Sequence, residues 1–194
     1  RYLDEMGVEI PTTTQEFYDV CEKFMEYKPT GIAVAGAAQG WFSRMQDWLF
    51  DAFTLMPGKS STLGVRDTVA RDKETGKAIC VGTTDEYKEG LKYMKSLYDI
   101  GALYDGDFTQ TAEQMKTLIN QPDEPVLFFT LGTISDGIDA ATNPDFYKDY
   151  VCMAPIEGPD GTRIAYQAPN PGVSSGAFAI TDKCENPEAA LRWV

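Results

Sequence analysis

The 194-residue chain is 43% hydrophobic and 12% aromatic, enough to bury a core of ordinary size in one or two domains. Its 17 Lys and Arg stand against 30 Asp and Glu, and the resulting charge of −13 repels phosphate backbones and anionic lipid, which argues against nucleic acid as a partner. The lack of histidine removes the usual general base near neutral pH and the commonest metal ligand, leaving carboxylate-pair chemistry such as glycoside hydrolysis as the enzymatic option.

Residues 1 to 7 read as the end of a helix closed by Gly7. Thr13 and Glu16 then form a capping box, and Phe17, Val20, Cys21, Phe24 and Met25 recur at helical spacing until Pro29 and Gly31. Ile32 to Ala35 fits a buried strand, followed by a loop of small residues from Gly36 to Gly40. Helical periodicity resumes from Trp41 to Phe53, with Trp48 on the stripe that faces a core. Thr68 to Arg71 and Ala78 to Val81 flank a turn and predict a hairpin.

Thr83 to Glu86 predicts a second capping box, with Tyr87, Leu91, Met94 and Tyr98 as the buried stripe and Gly101 as the stop. Thr109 or Thr111 starts a helix through Met115, Leu118 and Ile119, and Pro125 to Thr130 is the strongest central-strand candidate. A short helix is expected near Ile134 to Ala141. Strands are expected at Tyr150 to Pro155, Ile164 to Gln167 and Gly176 to Ile180. Asn186 and Pro187 open a last helix. The alternation of helices with short apolar strands points to an α/β fold with a mixed, mostly parallel sheet flanked by helices.

Cys21, Cys80, Cys152 and Cys184 are far apart and form no CxxC pair, so no close metal-ligand spacing exists; Cys21 reads as core and the other three stay undecided. No run approaches the ~20 apolar residues that span a bilayer. Asp105-Gly106-Asp107 resembles the start of a calcium loop but lacks the later ligand positions, so no EF-hand is expected. No cofactor, metal or catalytic residue is assigned.

The segments Pro11 to Phe17, Thr84 to Met94, Tyr98 to Leu103 and Asn186 to Val194, in that order, resemble the family 1 extracellular solute-binding proteins of ABC transporters. Within the family the text is most similar to the lipoprotein branch of Gram-positive bacteria and, more distantly, to maltose-binding-protein-like members. The resemblance implies two α/β lobes joined by crossing segments, with a sugar or other small-molecule solute held between them without catalysis. It implies ABC permease subunits as partners, a monomer, and an extracellular site, either lipid-anchored at a Gram-positive surface or periplasmic. By that comparison residues 1–150 are most of a second lobe, 151–175 are hinge-proximal strands and turn, and 176–194 return toward the first lobe. The chain is then expected to be part of a longer polypeptide.

Ligands of open α/β sheets bind beyond the carboxyl ends of strands, which makes three loops candidates. In the first, Gln39 can hydrogen-bond hydroxyls, Trp41 offers a flat face to a pyranose ring or packs under its own helix, and Arg44 clamps a ligand oxygen or makes a surface ion pair. In the second, Thr130, Gly132 and Thr133 sit where a strand gives way to a helix N-terminus. In the third, Asn170 stands in a Pro- and Ser-rich turn and is either a ligand contact or a plain turn residue. Carbohydrate capture requires these loops to converge on one side of the fold. A carboxylate glycosidase, a carrier of a non-sugar solute and a purely adhesive module are the alternatives.

Overall fold

The computed structural model describes residues 1–37, 47–54, 69–71, 75–121, 125–130, 134–165 and 178–193. Helix α1 (Tyr2–Met6) stops where Gly7 turns left-handed at φ 64° and returns its N–H to the Asp4 carbonyl. Helix α2 (Thr14–Tyr27) begins at the predicted box. The Thr13 hydroxyl accepts the Glu16 N–H at 3.2 Å, and the Glu16 carboxylate accepts the N–H groups of Thr12 and Thr13 at 2.8 and 3.2 Å. Those donors, Thr12 foremost, hold the Glu16 carboxyl below its usual range. The helix buries Phe17, Val20, Cys21 and Phe24, each apolar side chain contributing roughly 1.5–3 kcal/mol of transfer free energy.

That face lies against strand β1 (Ile32–Ala35), which pairs in parallel with strand β4 (Val126–Phe129) in the register Ile32 to Val126, Val34 to Phe128 and Ala35 to Phe129. A third parallel pass touches β1 on its other side through a bridge between Val34 and Leu103. The strands are shared by two apolar clusters. One joins α2 to Leu49, Leu97, Leu103 and Leu127, while the other joins Ala35, Ala37 and Val126 to Met115, Ile119 and Ile138. Covering of this kind explains why both strands are apolar at every position instead of alternating. The chain is therefore α/β, as expected. Strands β2 (Val69–Arg71) and β3 (Ala78–Cys80) form the predicted hairpin as a separate antiparallel pair. Its second strand ends one residue early because Val81 enters a 3-10 turn, and Thr68 lies outside the described residues.

Helix α3 (Asp85–Asp99) departs from its expected register. The N-cap is Thr84, whose hydroxyl accepts the Tyr87 N–H at 3.3 Å, so the third helical residue is Tyr87 and no reciprocal carboxylate bond forms. The buried positions are Gly90 and Leu97, with Tyr87, Tyr93 and Met94 half-buried, whereas Leu91 and Tyr98 are exposed. Glycine decides the facing: a Cβ on Gly90 would lie 2.6 Å from the Phe50 ring, which itself stacks on Tyr87 at 4.9 Å. Gly101, at φ 74°, ends the helix as predicted.

Helix α4 (Ala112–Ile119) opens at Thr111 with Gln114 completing the box, and it buries Met115, Leu118 and Ile119. Helix α5 (Ile134–Gly137) is shorter than the expected span to Ala141, because the Gly137 carbonyl is taken by the Asn120 side chain at 2.7 Å. A helix absent from the sequence reading, α6 (Pro144–Asp149), follows Asn143, and α7 (Pro187–Trp193) occupies the predicted terminal position.

Tyr150 to Pro155 is not a strand. The Tyr150 hydroxyl donates to the Val126 carbonyl and its ring meets Phe129 edge-on at 5.1 Å, while Val151 and Cys152 face solvent. The segment docks beside β4 through a side chain and not through a backbone ladder. Ile164 and Ala165 are irregular, as are Phe178 to Ile180; the remainder of those two expected strands, 166–167 and 176–177, lies outside the described residues. All four cysteines are free thiols, and burial pushes the Cys21 thiol well up.

Trp48 packs with the core as expected, edge-on to Phe17 at 5.4 Å. It sits on a 3-10 helix, Asp47–Ala52, fixed from two further sides. Phe50 fills the notch over Gly90, and the backbone at Gly158 passes so close that a Cβ there would fall 1.8 Å from the Ala52 carbonyl oxygen. The turn carrying Gly158 is tied in turn to α2, since Thr14 donates to Glu157 and Glu157 donates to Thr12.

Candidate functional site

Because β1 and β4 run parallel and pair up to Ala35 and Phe129, their carboxyl ends reach one edge of the sheet side by side. The next residue of β4, Thr130, stays attached: its N–H donates to the Ala35 carbonyl at 3.3 Å, and the residue is half-buried. On the β1 side, Gly36 and the fully buried Ala37 follow the last strand residue. The described chain therefore reaches Ala37 and Thr130 at adjacent strand ends, which is the geometry expected of a ligand-facing edge in an open α/β sheet.

Polar side chains hold this edge from below. Asp107 lies in a 3-10 helix, Asp105–Phe108, and is fully buried. Its carboxylate accepts the Gly36 N–H and, at 2.8 Å, a hydrogen bond from the Gln110 amide. The same Gln110 amide donates to the Gly36 carbonyl. Burial pushes the Asp107 carboxyl up to about 7, and the two donors, Gly36 and Gln110, only partly oppose that shift. The pair Asp105 and Asp107 is thus not arranged like a calcium loop, since Asp107 turns into the protein. Among the described residues no three His, Cys, Asp or Glu are grouped to hold a metal ion, and no helix is long and apolar enough to cross a membrane.

Of the candidate ligand residues, Thr130 is at the edge, at the end of β4. Gln39, Trp41, Arg44, Gly132, Thr133 and Asn170 lie outside the described residues. The structure brings together the roots of the first two candidate loops. Neither Asp107 nor Gln110 is a site residue by sequence: Asp105-Gly106-Asp107 suggests a cation loop and Thr111 a helix start, and neither signal points to a polar clamp.

A cavity of about 80 Å³ lies elsewhere, beside the outer side of β4, walled by Leu3, Ile10, Leu127, Phe128, Tyr150 and Met153. Ligand sites occupy roughly 300–1,000 Å³, so this apolar niche is too small to be one.

The model of one protein family, the bacterial extracellular solute-binding proteins, matches residues 2–194. The chain belongs to that family. Among relatives of this solute-binding protein are two from Bacillus subtilis (strain 168), each matched over the whole chain at 27% identity: the polygalacturonan/rhamnogalacturonan-binding protein YtcQ and the lipoprotein LipO. The chain spans 36% and 37% of their lengths. A solved structure from S. pneumoniae, the ABC-transporter substrate-binding protein FusA as an EF-hand mutant in complex with fructo-nystose, superposes with a TM-score of 0.62 at 19% identity. It covers 84% of this chain and 31% of the FusA chain, and it shows that the solute-binding fold is shared.

Proposed function

We propose that the chain is part of an ABC importer's solute-binding protein that captures an oligosaccharide, without catalysis, at the edge where β1 and β4 end. In this reading residues 1–150 form most of one lobe, 151–175 approach the hinge, and 176–194 return toward the other lobe. The observation that carries it is the side-by-side exit of two loop roots from parallel strands in a member of a solute-binding family. Gln39, Thr130 and Thr133 are the proposed hydroxyl partners, Trp41 the stacking face and Arg44 the clamp on a ligand oxygen. Gly132 lets the backbone approach, and Asn170 comes from the hinge side. The sugar class is supported by the names of two relatives, one binding polygalacturonan and rhamnogalacturonan and one holding fructo-nystose. The proposed partners are permease subunits, with the full-length protein acting as a monomer anchored at the outer surface as a lipoprotein.

A glycosidase would need two carboxyl groups facing each other across a groove, one with a raised pKa. The described carboxyl that is raised, Asp107, is enclosed and committed to Gly36 and Gln110, which favours capture over hydrolysis. Calorimetry on the full-length protein with neutral fructo-oligosaccharides and with uronic-acid oligosaccharides tests the reading. Binding that Trp41→Ala weakens by roughly tenfold, or about 1.4 kcal/mol, is expected. Release of shortened sugars during the titration, or binding of peptides in place of sugars, would overturn it.

A further inference from the structure

Resting on that capture reading, we propose that Asp107 and Gln110 are positioning residues for solute binding, fixing Gly36 and Ala37 at the tip of β1 without touching the solute themselves. On the side of β1 away from β4, a ladder to the segment at Leu103 passes through Val34. Val34 donates to the Ala102 carbonyl at 2.9 Å and accepts from the Tyr104 N–H at 3.2 Å. Strand period 2 points Gly36 to the same side, toward a next rung. The neighbouring chain has no backbone to offer there, because after Tyr104 it turns into the 3-10 helix at Asp105. Gly106 permits that turn: a Cβ at this position would lie 2.4 Å from the Tyr104 ring.

Two side chains take the place of the missing rung. The Asp107 carboxylate accepts the Gly36 N–H as a strand carbonyl would, and the Gln110 amide donates to the Gly36 carbonyl as a strand N–H would. Gln110 also bonds Asp107 at 2.8 Å, so the two hold each other in register. Both are buried, Asp107 completely and Gln110 to 8% exposure, and unsatisfied polar groups in such surroundings are costly. Gly36 has no side chain with which to anchor itself and Ala37 has only a methyl, so the direction in which β1 ends is set by this pair and by the packing of Ala37. Ligand contacts tolerate little displacement, and a tip released by one missing bond costs affinity.

The test uses the full-length protein and three variants. Gln110→Met keeps the side chain's length and removes both donors. Asp107→Asn keeps one acceptor oxygen. Leu97→Ala weakens the core without removing a group of the clamp. Affinity for the oligosaccharide is measured by calorimetry at a temperature where melting shows each variant folded, and Gly36 amide exchange is followed by NMR. Gln110→Met should lose roughly tenfold or more in affinity, and Leu97→Ala should stay within about twofold of wild type. Asp107→Asn should fall between them, and Gly36 exchange should accelerate in both clamp variants. A folded Gln110→Met that binds as wild type does would overturn the positioning role. If that variant does not fold, Asp107→Asn decides: unchanged affinity together with unchanged Gly36 exchange overturns it. Wild-type protein that binds no oligosaccharide instead refutes the sugar reading and with it the role assigned to the clamp.

Discussion

Replacing Asp107 with asparagine gives a pH-dependent stability change whose sign follows from its surroundings. The carboxyl sits near 3.8 when exposed and is pushed up to about 7 in the fold by burial. Between those values the unfolded chain ionises the group while the folded chain keeps it protonated, so the folded state holds one more proton. Stability then falls as pH rises through this window, with the full contribution present below about pH 4 and lost above about pH 7. A shift of about 3 units corresponds to about 4 kcal/mol at 1.36 kcal/mol per unit. That is a large share of the 5–15 kcal/mol typical of a domain. Urea denaturation of wild type and Asp107→Asn across the window isolates the effect, because the remaining acidic groups cancel in the difference. Asp107→Asn should gain on wild type by about 4 kcal/mol from about pH 4 to about pH 8. A difference that stays constant across that range would refute the assigned protonation.

Gly158→Ala forces a methyl to 1.8 Å from the Ala52 carbonyl oxygen, so a loss of about 3 kcal/mol or more is expected in thermal melts. Leu97→Ala empties a fully buried site between α3 and the α2 cluster and should cost about 2–5 kcal/mol by the same assay. Thr111→Ala removes the acceptor of the Gln114 N–H and should cost about 0.5–2 kcal/mol, read from the urea midpoint. A thiol reagent should modify the exposed Cys80 and Cys152 in the folded protein and reach the buried Cys21 only as the chain unfolds, which mass spectrometry of timed aliquots will show.

Elements whose signal is local were legible in the sequence. Thr13 with Glu16 and Thr111 with Gln114 mark helix starts because the capping partners are three residues apart and need nothing else. Helix α3 misled because two threonines precede it, and the register was settled from outside by the Phe50 ring against Gly90. The run from Tyr150 to Pro155 looks like a strand by composition, yet tyrosine docks it on β4 by its hydroxyl and ring. Helix α6 escaped notice because it buries none of its residues and so shows no apolar period, although Asn143-Pro144 repeats the opening of α7. At the candidate edge, the exit of β1 and β4 followed from two apolar runs. The clamp did not, because Asp105-Gly106-Asp107 reads locally as the start of a cation loop, and the glycine that Gln110 holds lies 74 positions away.

The parallel pairing of β1 with β4 also governs how the chain reaches its native state. Its first rung joins Ile32 to Val126, so no tight turn can zip the two strands together, and α2's partner surface must wait for a large loop to close. Non-local topology of this kind slows folding relative to chains built from neighbouring contacts. The capped helices α2 and α4 can form early from their own residues, whereas the candidate edge waits for the long-range pairing of β1 with β4.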